Sequence, residues 1–330
     1  FDQNGDGRLV ADRRAGLMVI RPVDHGIFAG AVAAAAGAGY FAGGVNWGGA
    51  GVVATVDRFA FPSDARTTLG TGLPAGETEG AGMANSGTAG YFGGGYGVAP
   101  GYAKSAAIYK LAFADDSFTT LSGALTAAVY ALAGMANSGT AGYFAGGYTG
   151  SRVTTVDKIT FSDDGKTTLG TGLSSGRNGV SGMANSGTAG YVCGGYTGAA
   201  FVSTVDKFAF SDDGRTTLSA GLSSGRTTTA AMANSGTAGY VGGGNGNATT
   251  VDKFAFSDDS RTTLGTGLSA GRSTLAGMAQ SGTAGYFGGG NTSGSTVDKF
   301  AFPGDSRSTL GTGLSDTLSG PMACANSGEL

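Results

Sequence analysis

Residues 182–226 read Gly-Met-Ala-Asn-Ser-Gly-Thr-Ala-Gly-Tyr-Val-Cys-Gly-Gly-Tyr-Thr-Gly-Ala-Ala-Phe-Val-Ser-Thr-Val-Asp-Lys-Phe-Ala-Phe-Ser-Asp-Asp-Gly-Arg-Thr-Thr-Leu-Ser-Ala-Gly-Leu-Ser-Ser-Gly-Arg. Short runs of β-branched and aromatic residues alternate here with clusters of Gly, Asn, Asp and Ser, a pattern typical of short strands joined by turns. The tripeptide Asp-Asp-Gly at 212–214 is a strong hairpin signal. We therefore predict four strands: one near Met183, then 190–193, 204–210 and 216–222.

The same segment recurs along the whole chain. A single four-stranded sheet of this size cannot bury both faces, whereas several sheets stacked around an axis can. Four strands in a period of this length indicate a β-propeller rather than a short-period solenoid. We predict an all-β fold, a propeller of about six four-stranded blades closed by one of the terminal strands, with a seventh composite blade as the alternative. The period is 46 to 52 residues between the tyrosines of successive Gly-Tyr pairs: Tyr40, Tyr91, Tyr143, Tyr191, Tyr240 and Tyr286.

Both ends of the chain contain candidates for the closing strand. Residues 321–328 echo the Met-Ala-Asn-Ser-Gly of the first strand, and Asp-Gly-Arg at 6–8 matches Asp-Gly-Arg at 213–215. We predict that residues 1–24 form an N-terminal segment, either a ring-closing strand or an Asx-rich loop. Residues 25–330 then form the propeller.

The composition excludes several classes of protein. Apolar residues make up 40% and charged residues 13%, which argues against disorder. A net charge of −3 without any run of lysine or arginine indicates no nucleic-acid partner. No stretch approaches the roughly 18 unbroken apolar residues of a membrane span. The only cysteines, Cys193 and Cys324, lie at different phases of the repeat, so we expect no disulfide framework.

A known repeat has a similar pattern. Residues 40–44 and 143–147 both read Tyr-Phe-Ala-Gly-Gly, preceded by a strand and a turn and followed by a variable loop and two more strands. This pattern resembles the kelch repeat, from about His25 to Asn326. The near-identical copies, rich in Gly, Ala, Ser and Thr, look more like kelch-like proteins of bacteriophages than like eukaryotic adaptor propellers. One departure is that kelch repeats usually have tryptophan in the fourth strand, where this chain has Leu169, Leu218, Leu264 and Leu310.

The N-terminal segment contains a candidate calcium loop. Residues 2–9, Asp-Gln-Asn-Gly-Asp-Gly-Arg-Leu, match the first half of an EF-hand loop, in which Asp2, Asn4 and Asp6 would supply oxygen ligands. The twelfth position should be a bidentate glutamate but is Arg13. An Asx-rich turn is therefore the alternative to a calcium site, and no other cofactor is indicated.

Groups that usually carry catalysis are scarce. His25 is the only histidine, and the three glutamates are Glu77, Glu79 and Glu329. A carbohydrate-active enzyme would have to use Glu77 and Glu79 with nearby aspartates, and their spacing establishes no acid–base pair. We therefore predict that the protein is not an enzyme.

Two other repeated features have structural interpretations. The Ser-Asp-Asp-Gly loops are predicted to be hairpin turns. One set of methionines recurs at a single phase and is predicted to pack in the core: Met83, Met135, Met183, Met232 and Met278.

The third strand carries a repeated Asp-Lys pair. Adjacent residues of a strand point to opposite faces, so the two side chains do not pair with each other. We expect each aspartate either to meet a basic group of a neighbouring strand or blade, such as Arg177, Arg226 or Arg272, or to face solvent. The copies are Asp157-Lys158, Asp206-Lys207, Asp252-Lys253 and Asp298-Lys299.

The predicted strand order divides the loops between two faces. The uniform face has the turns between first and second strands (Asn-Ser-Gly-Thr) and between third and fourth strands (Ser-Asp-Asp-Gly). The variable face has the links from second to third strand and from blade to blade, which differ between copies. Recognition usually occurs on such loops, and aromatic and amide groups suit sugar rings, although tolerated drift is the alternative. The candidate ligand-binding residues are Trp47, Asn46, Tyr96, Tyr102, Tyr148, Tyr196, Asn245 and Asn291.

These observations lead to three functional hypotheses. We expect a non-enzymatic binding or structural propeller, extracellular or in a virion, where the phage resemblance implies a tail-associated protein that contacts a host-surface glycan or a partner protein. The second hypothesis is a subunit of an extracellular or cell-surface assembly that stacks through the uniform face. The third is a carbohydrate-active enzyme.

Overall fold

The structure, a computed structural model, describes residues 37–46, 48–97 and 103–327. The chain divides into two compact units, Phe1–Ala36 and Gly37–Leu330, and every described residue belongs to the second. The described residues form strands and turns and include no helix. The fold is therefore an all-β propeller, as the repeat predicts.

Within the described ranges the strands form six four-stranded antiparallel sheets, the blades, and two smaller sheets. The innermost strands are β7 (Ala81–Asn85), β12 (Ala133–Asn137), β16 (Ser181–Asn185), β20 (Ala230–Asn234), β24 (Ala276–Gln280) and β29 (Met322–Ala325). The second strands are β1 (Ala38–Ala42), β8 (Ala89–Gly93), β13 (Ala141–Ala145), β17 (Ala189–Cys193), β21 (Ala238–Gly242) and β25 (Ala284–Gly288). The third strands are β4 (Val56–Ala60), β10 (Ile108–Ala112), β14 (Val156–Thr160), β18 (Val205–Ala209), β22 (Val251–Ala255) and β26 (Val297–Ala301).

The fourth, outermost strands are β5 (Ala65–Thr68), β11 (Ser117–Thr120), β15 (Gly165–Thr168), β19 (Arg215–Thr217), β23 (Arg261–Thr263) and β27 (Ser306–Thr309). The short strands of the smaller sheets are β2 (Val45–Asn46), β3 (Gly51–Val52), β6 (Glu77–Thr78), β9 (Tyr96–Gly97) and β28 (Leu318–Ser319). We number the blades from the sheet β29-β1-β4-β5, which is blade 1, to the sheet β24-β25-β26-β27, which is blade 6.

The last strand of the chain completes the first blade. Strand β29 pairs with β1, with Cys324 opposite Tyr40, so the C-terminal residues supply the innermost strand of blade 1, as predicted for 321–328. At the centre, six residues with positive φ join neighbouring blades through a closed ring of backbone N–H···O=C hydrogen bonds of 2.7–2.9 Å. We call these residues the inner ring: Glu79, Ala131, Gly179, Thr228, Thr274 and Gly320.

Small residues allow the blades to approach each other closely. A Cβ atom at Gly142, on β13, would lie 2.3 Å from Sδ of Met83 in the preceding blade, so any larger residue would have to displace the methionine side chain. Gly190 has the same relation to Met135. The repeated methionines are fully buried, which confirms that they pack in the core.

On the uniform face, a tyrosine, an aspartate and a basic residue close each blade boundary. The Tyr143 hydroxyl donates to Oδ1 of Asp213 in the next blade (2.8 Å), and Lys158 Nζ lies 2.7 Å from the Asp213 Oδ2 atom. The Tyr143 ring also stacks on Phe210 of the next blade, with centroids 5.4 Å apart. We call this arrangement the clasp. It recurs at all six boundaries between the described blades, with Arg58 as the basic residue of one, and its aspartates are Asp64, Asp116, Asp164, Asp213, Asp259 and Asp305.

The clasp explains why the hairpin sequence is nearly constant. Asp213 lies in the turn between β18 and β19 with φ of 57°, a left-handed conformation that aspartate adopts more readily than most residues. The preceding Asp212 accepts a hydrogen bond from Gly214 N (2.9 Å). The Ser-Asp-Asp-Gly loops are therefore hairpin turns, as predicted, and their second aspartate also binds the preceding blade.

On the variable face, the aspartate of the third strand holds the connection from the preceding blade. Arg226 donates through Nη2 to Asp252, and through Nη1 to the backbone oxygens of Gly243 (2.7 Å) and Thr250 (3.1 Å). Asp252 is fully buried and also accepts from Ser223 N and Oγ at 2.9 Å. The pairs Arg177–Asp206 (3.1 Å) and Arg272–Asp298 (2.6 Å) repeat this contact. These pairs confirm the predicted basic partner for Asp206, Asp252 and Asp298, while the cation near Asp157 is Lys166, at 3.8 Å.

Hydrogen bonds compensate for the burial of these carboxylates. Burial alone would raise the pKa of Asp206, but hydrogen bonds from Thr217 and Ser174 and the charge of Arg177 hold that pKa below its usual value. Asp252 has a lowered pKa for the same combination of reasons. Both carboxylates are therefore charged at neutral pH.

The fourth strand is shorter than predicted. Strand β19 ends at Thr217, whereas the sequence indicates a strand over 216–222. Beyond Thr217 the chain turns towards the core, where Leu222 is buried, while Leu218 is half-buried against the same cluster.

Both cysteines are free and buried, in line with the expected absence of a disulfide framework. Burial raises the pKa of the Cys193 thiol to about 12.

Candidate ligand-binding face

The variable face has one equivalent position in each blade, directly after the glycine pair. In blade 3 this pair is Gly146 (φ 68°) and Gly147 (φ 101°), a backbone that requires glycine at both positions. The next residue, Tyr148, forms a β-bridge with Tyr130, which directly precedes the inner ring. The six equivalent residues therefore lie beside the central ring: Val45, Tyr96, Tyr148, Tyr196, Asn245 and Asn291.

Aromatic side chains of three consecutive blades form two groups that Arg152 links. Tyr96 and Tyr130 have ring centroids 4.2 Å apart, and Tyr130 and Tyr148 are 5.6 Å apart. Tyr196 and Phe201 follow in blade 4, at 5.1 Å from each other. We call these five residues the aromatic arc. Phe201 is 47% exposed, the largest exposed hydrophobic side chain among the described residues.

Two cations lie within the aromatic arc. The Arg152 guanidinium is 4.5 Å from the Tyr196 ring centre and 5.5 Å from that of Tyr148, so it bridges blades 3 and 4. Lys104 Nζ is 5.6 Å from the Tyr148 ring centre and donates to Thr149 O (2.5 Å). These contacts are of the cation–π type and fix the orientation of the rings.

The inner ring adds a single carboxyl group to this face. Glu79 lines a central cavity of about 100 Å³, whose walls are otherwise backbone and small or apolar side chains such as Gly82, Gly134 and Ala231. Burial raises the pKa of Glu79. Burial also raises the pKa of Tyr130 to about 12, with further contributions from its hydrogen bond with Tyr96 and the negative charge of Glu79.

The structure brings together three of the residues that the sequence identifies as ligand-binding candidates, Tyr96, Tyr148 and Tyr196. Asn245 and Asn291 occupy the equivalent position in blades 5 and 6. Their side-chain oxygens accept from Thr227 N (2.9 Å) and Ser273 N (3.1 Å), so these amides brace the adjoining connections.

Asn46 lies apart from the aromatic arc. Its amide nitrogen donates to Asp316, and its oxygen accepts from Gly48 N (2.6 Å). The candidates Trp47 and Tyr102 lie outside the described residues, as do the calcium candidates Asp2, Asn4 and Asp6.

The candidate acid–base pair has a different placement. Glu77 is 3% exposed and accepts from the Tyr109 hydroxyl (3.4 Å), between blades 1 and 2. Burial raises its pKa, while hydrogen bonds from Ser105 and Tyr109 oppose the rise. Glu79 lies on the inner ring instead, so the two glutamates differ in surroundings.

Sequence reasoning missed Tyr130. The other arc residues lie in links from the second to the third strand, whereas Tyr130 lies in a blade-to-blade connection. A signal was present, because residues 124–133 depart from the Gly-Leu-Ser-Ser-Gly-Arg pattern of the later connections. A break in the repeat on the variable face could therefore have found it.

Comparisons with known proteins add no family to this description. No model of a known protein family matches the chain, and no curated protein is similar enough to count as a relative.

Among the described residues no helix is long and apolar enough to cross a membrane. In the same residues no three His, Cys, Asp or Glu side chains come together as a metal-binding group.

Proposed function

We propose that this chain is a non-enzymatic binding propeller that holds a ligand on the aromatic arc. The observation that carries the proposal is the run of five aromatic side chains across blades 2 to 4, with Arg152 and Lys104 between them. Rigid aromatic faces provide a large contact area at a low entropic cost. The clasps at the blade boundaries supply the rigid support that such a surface needs.

The ligand class that this chemistry fits best is a surface glycan. Sugar rings present apolar C–H faces that stack on tyrosine, and hydroxyl groups that bond to phenol, guanidinium and backbone groups. Two cations on the arc favour a glycan that carries carboxylate or sulfate groups. The resemblance to kelch-like phage proteins supports a location in a virion, as a tail-associated protein, or elsewhere outside cells.

A glycan-array screen of the purified chain tests this proposal. We expect selective binding to anionic or neutral oligosaccharides that is lost in Tyr148→Ala. The matched control is Asp163→Ala, on the uniform face of the same blade, where the exposed Asp163 carboxylate only accepts from Gly165 N (2.9 Å). Both variants should melt close to the wild type.

Two further arms test the residues that the sequence alone identifies. Trp47→Ala examines whether the surface extends towards blade 1, and a repeat of the screen with calcium and then with chelator examines the loop at residues 2–9. Absence of binding to every glycan in all conditions, or equal loss in the Asp163→Ala control, would rule out the arc as a glycan site.

A further inference from the structure

The arginine that joins blades 4, 5 and 6 to their predecessors has a counterpart position at every boundary. A backbone hydrogen bond identifies this position in each blade: the carbonyl oxygen of the residue accepts from the N–H of the second glycine of the glycine pair in the preceding blade. Arg226 O accepts from Gly195 N (2.8 Å), and Val129 O accepts from Gly95 N (2.8 Å). The six residues at this position, for blades 1 to 6, are Leu318, Glu77, Val129, Arg177, Arg226 and Arg272.

Blades 1 and 2 have replaced the buried ion pair in different ways. In blade 2 the aspartate position is Tyr109, whose hydroxyl donates to Glu77 (3.4 Å), so both members of the pair have changed. In blade 1 the residue at the arginine position is Leu318, whose side chain is fully buried in an apolar cluster. Blade 2 therefore lacks the aspartate of a guanidinium site, whereas blade 1 keeps the buried Asp57 and has an apolar side chain at the arginine position.

Blade 3 has kept the aspartate and lost only the arginine. Asp157 is 4% exposed, and Val129 is too short to reach it. A cavity of about 100 Å³ takes the place of the arginine side chain, lined among others by Asp157, Gly146, Thr155 and Val129. Asp157, Gly146 and Thr155 are the counterparts of the three residues that hold the Arg226 guanidinium in blade 5: Asp252, Gly243 and Thr250.

Within the described part of the chain, Asp157 lacks the inner cationic partner that the equivalent aspartates of blades 4 to 6 have. Its carboxylate accepts from Thr126 N (2.7 Å), Thr126 Oγ1 (2.6 Å) and Thr168 Oγ1 (2.6 Å), and Lys166 Nζ lies 3.8 Å away on the outer side. The equivalent outer cation is present beside Asp252 too, as Arg261 at 3.6 Å. Asp252 therefore has two cationic partners, and Asp157 has only the outer one among the described residues.

We propose that this cavity binds the guanidinium group of another molecule, either an arginine side chain presented by a partner protein or a free guanidino compound. The same chain shows three times how a guanidinium fits these groups, with a carboxylate on one side and backbone oxygens on the other. Arg226 and Arg272 each bond to two backbone oxygens, and Arg177 bonds to one, Gly194 O. Thr126 and Ala127 at the cavity are exposed, which gives access from solvent. Thr149, also at the cavity, follows Tyr148 of the aromatic arc, so the site opens on the variable face.

Titration of the isotope-labelled chain with methylguanidinium chloride at constant ionic strength, followed by amide NMR, tests the proposal. We expect saturable shifts of the Thr126, Gly146 and Thr155 amides at millimolar concentrations, and none with neutral methylurea. Val129→Arg should abolish the shifts, because its own guanidinium occupies the cavity. Asp157→Asn should weaken binding about tenfold or more, because the charge-assisted hydrogen bond is lost.

Two further probes distinguish the source of the guanidinium. A capped Gly-Arg-Gly peptide that binds at least as well as agmatine supports an arginine side chain of a partner. Agmatine binding without peptide binding supports a free guanidino compound. Shifts that persist in Val129→Arg, equal shifts with methylurea, or no saturable shift in the wild type would overturn the proposal. Glycan binding through Tyr148 is measured separately and does not depend on this result.

Discussion

Each blade boundary is closed twice, once on the uniform face and once on the variable face, and the two closures differ in how far they vary. The clasp has the same tyrosine and aspartate at all six boundaries of the described blades. The arginine–aspartate pair is present at three of them. The comparison teaches that the closure on the uniform face is kept at every boundary, whereas the closure on the variable face can be replaced.

The divergence is concentrated in one part of the ring. The aromatic arc and the cavity at Asp157 both belong to blades 2 to 4, whereas blades 5 and 6 have amides and intact arginine pairs at the same positions. The repeat therefore departs from its own pattern on one face of these blades, while it keeps the clasp contacts on the other.

Removal of an arginine from an intact pair should give the largest effect. Arg226→Ala leaves Asp252 buried without its inner cation, and we expect a loss of about 3–5 kcal/mol in the free energy of unfolding. The matched control is Arg261→Ala, which removes the partly exposed outer partner of the same carboxylate at 3.6 Å and should cost no more than about 1 kcal/mol. Chemical denaturation of both variants measures the difference, and equal losses would contradict the account.

Breaking one clasp should have an intermediate effect. Asp213→Ala removes the acceptor of the Tyr143 hydroxyl and the partner of Lys158, and we expect a loss of about 1.5–3 kcal/mol. The adjacent Asp212 binds only Gly214 N of its own turn and is exposed, so Asp212→Ala should change the melting temperature little. If Asp212→Ala were as damaging as Asp213→Ala, the hairpin itself would matter and not the clasp.

Substitution of Glu79, the carboxyl group of the inner ring, should change the stability least, and should increase it rather than decrease it. Burial raises the pKa of Glu79 in the folded state, so folding is favoured when this group is protonated, and that contribution is lost as the pH rises through the raised pKa. Glu79→Gln should therefore melt at a higher temperature than the wild type at pH 8. The gain should disappear near pH 4, about the usual pKa of glutamate.

The exposed Asp163 provides the control for the Glu79 prediction. Asp163→Asn removes a carboxylate on the uniform face and should show no comparable gain at pH 8. A Glu79→Gln variant that is less stable than the wild type at pH 8 would mean that the ionised carboxylate stabilises the inner ring. Glu79 would then belong with the contacts that hold the fold, and not with the variable face.

The fold could be predicted from the sequence because the repeat specifies it many times over. The spacing of Gly-Tyr pairs predicts the blades, and residues 321–328 are one of the two candidates for the closing strand. The arginine–aspartate pairs could be proposed because both partners repeat in step. The clasp could not, because it depends on the side-chain direction of an aspartate at positive φ, which turn composition does not reveal.

The candidate site could be predicted only in part. Tyr148 and Tyr196 stand out because they lie in loops that differ between copies. Their connection through Arg152 depends on distances across a blade boundary, and the cavity at Asp157 depends on valine, rather than arginine, at position 129. Both features appear only when blades are compared in space at the same position.

Hydrogen exchange of the chain with and without its best array glycan tests most directly which face recognises the ligand. The account predicts slower exchange on binding at Tyr96–Gly97, around Tyr148 and Arg152, and around Tyr196 and Phe201. The Ser-Asp-Asp-Gly hairpins of the uniform face should exchange at unchanged rates. Protection confined to those hairpins, with none around Tyr148, would contradict the assignment of recognition to the variable face.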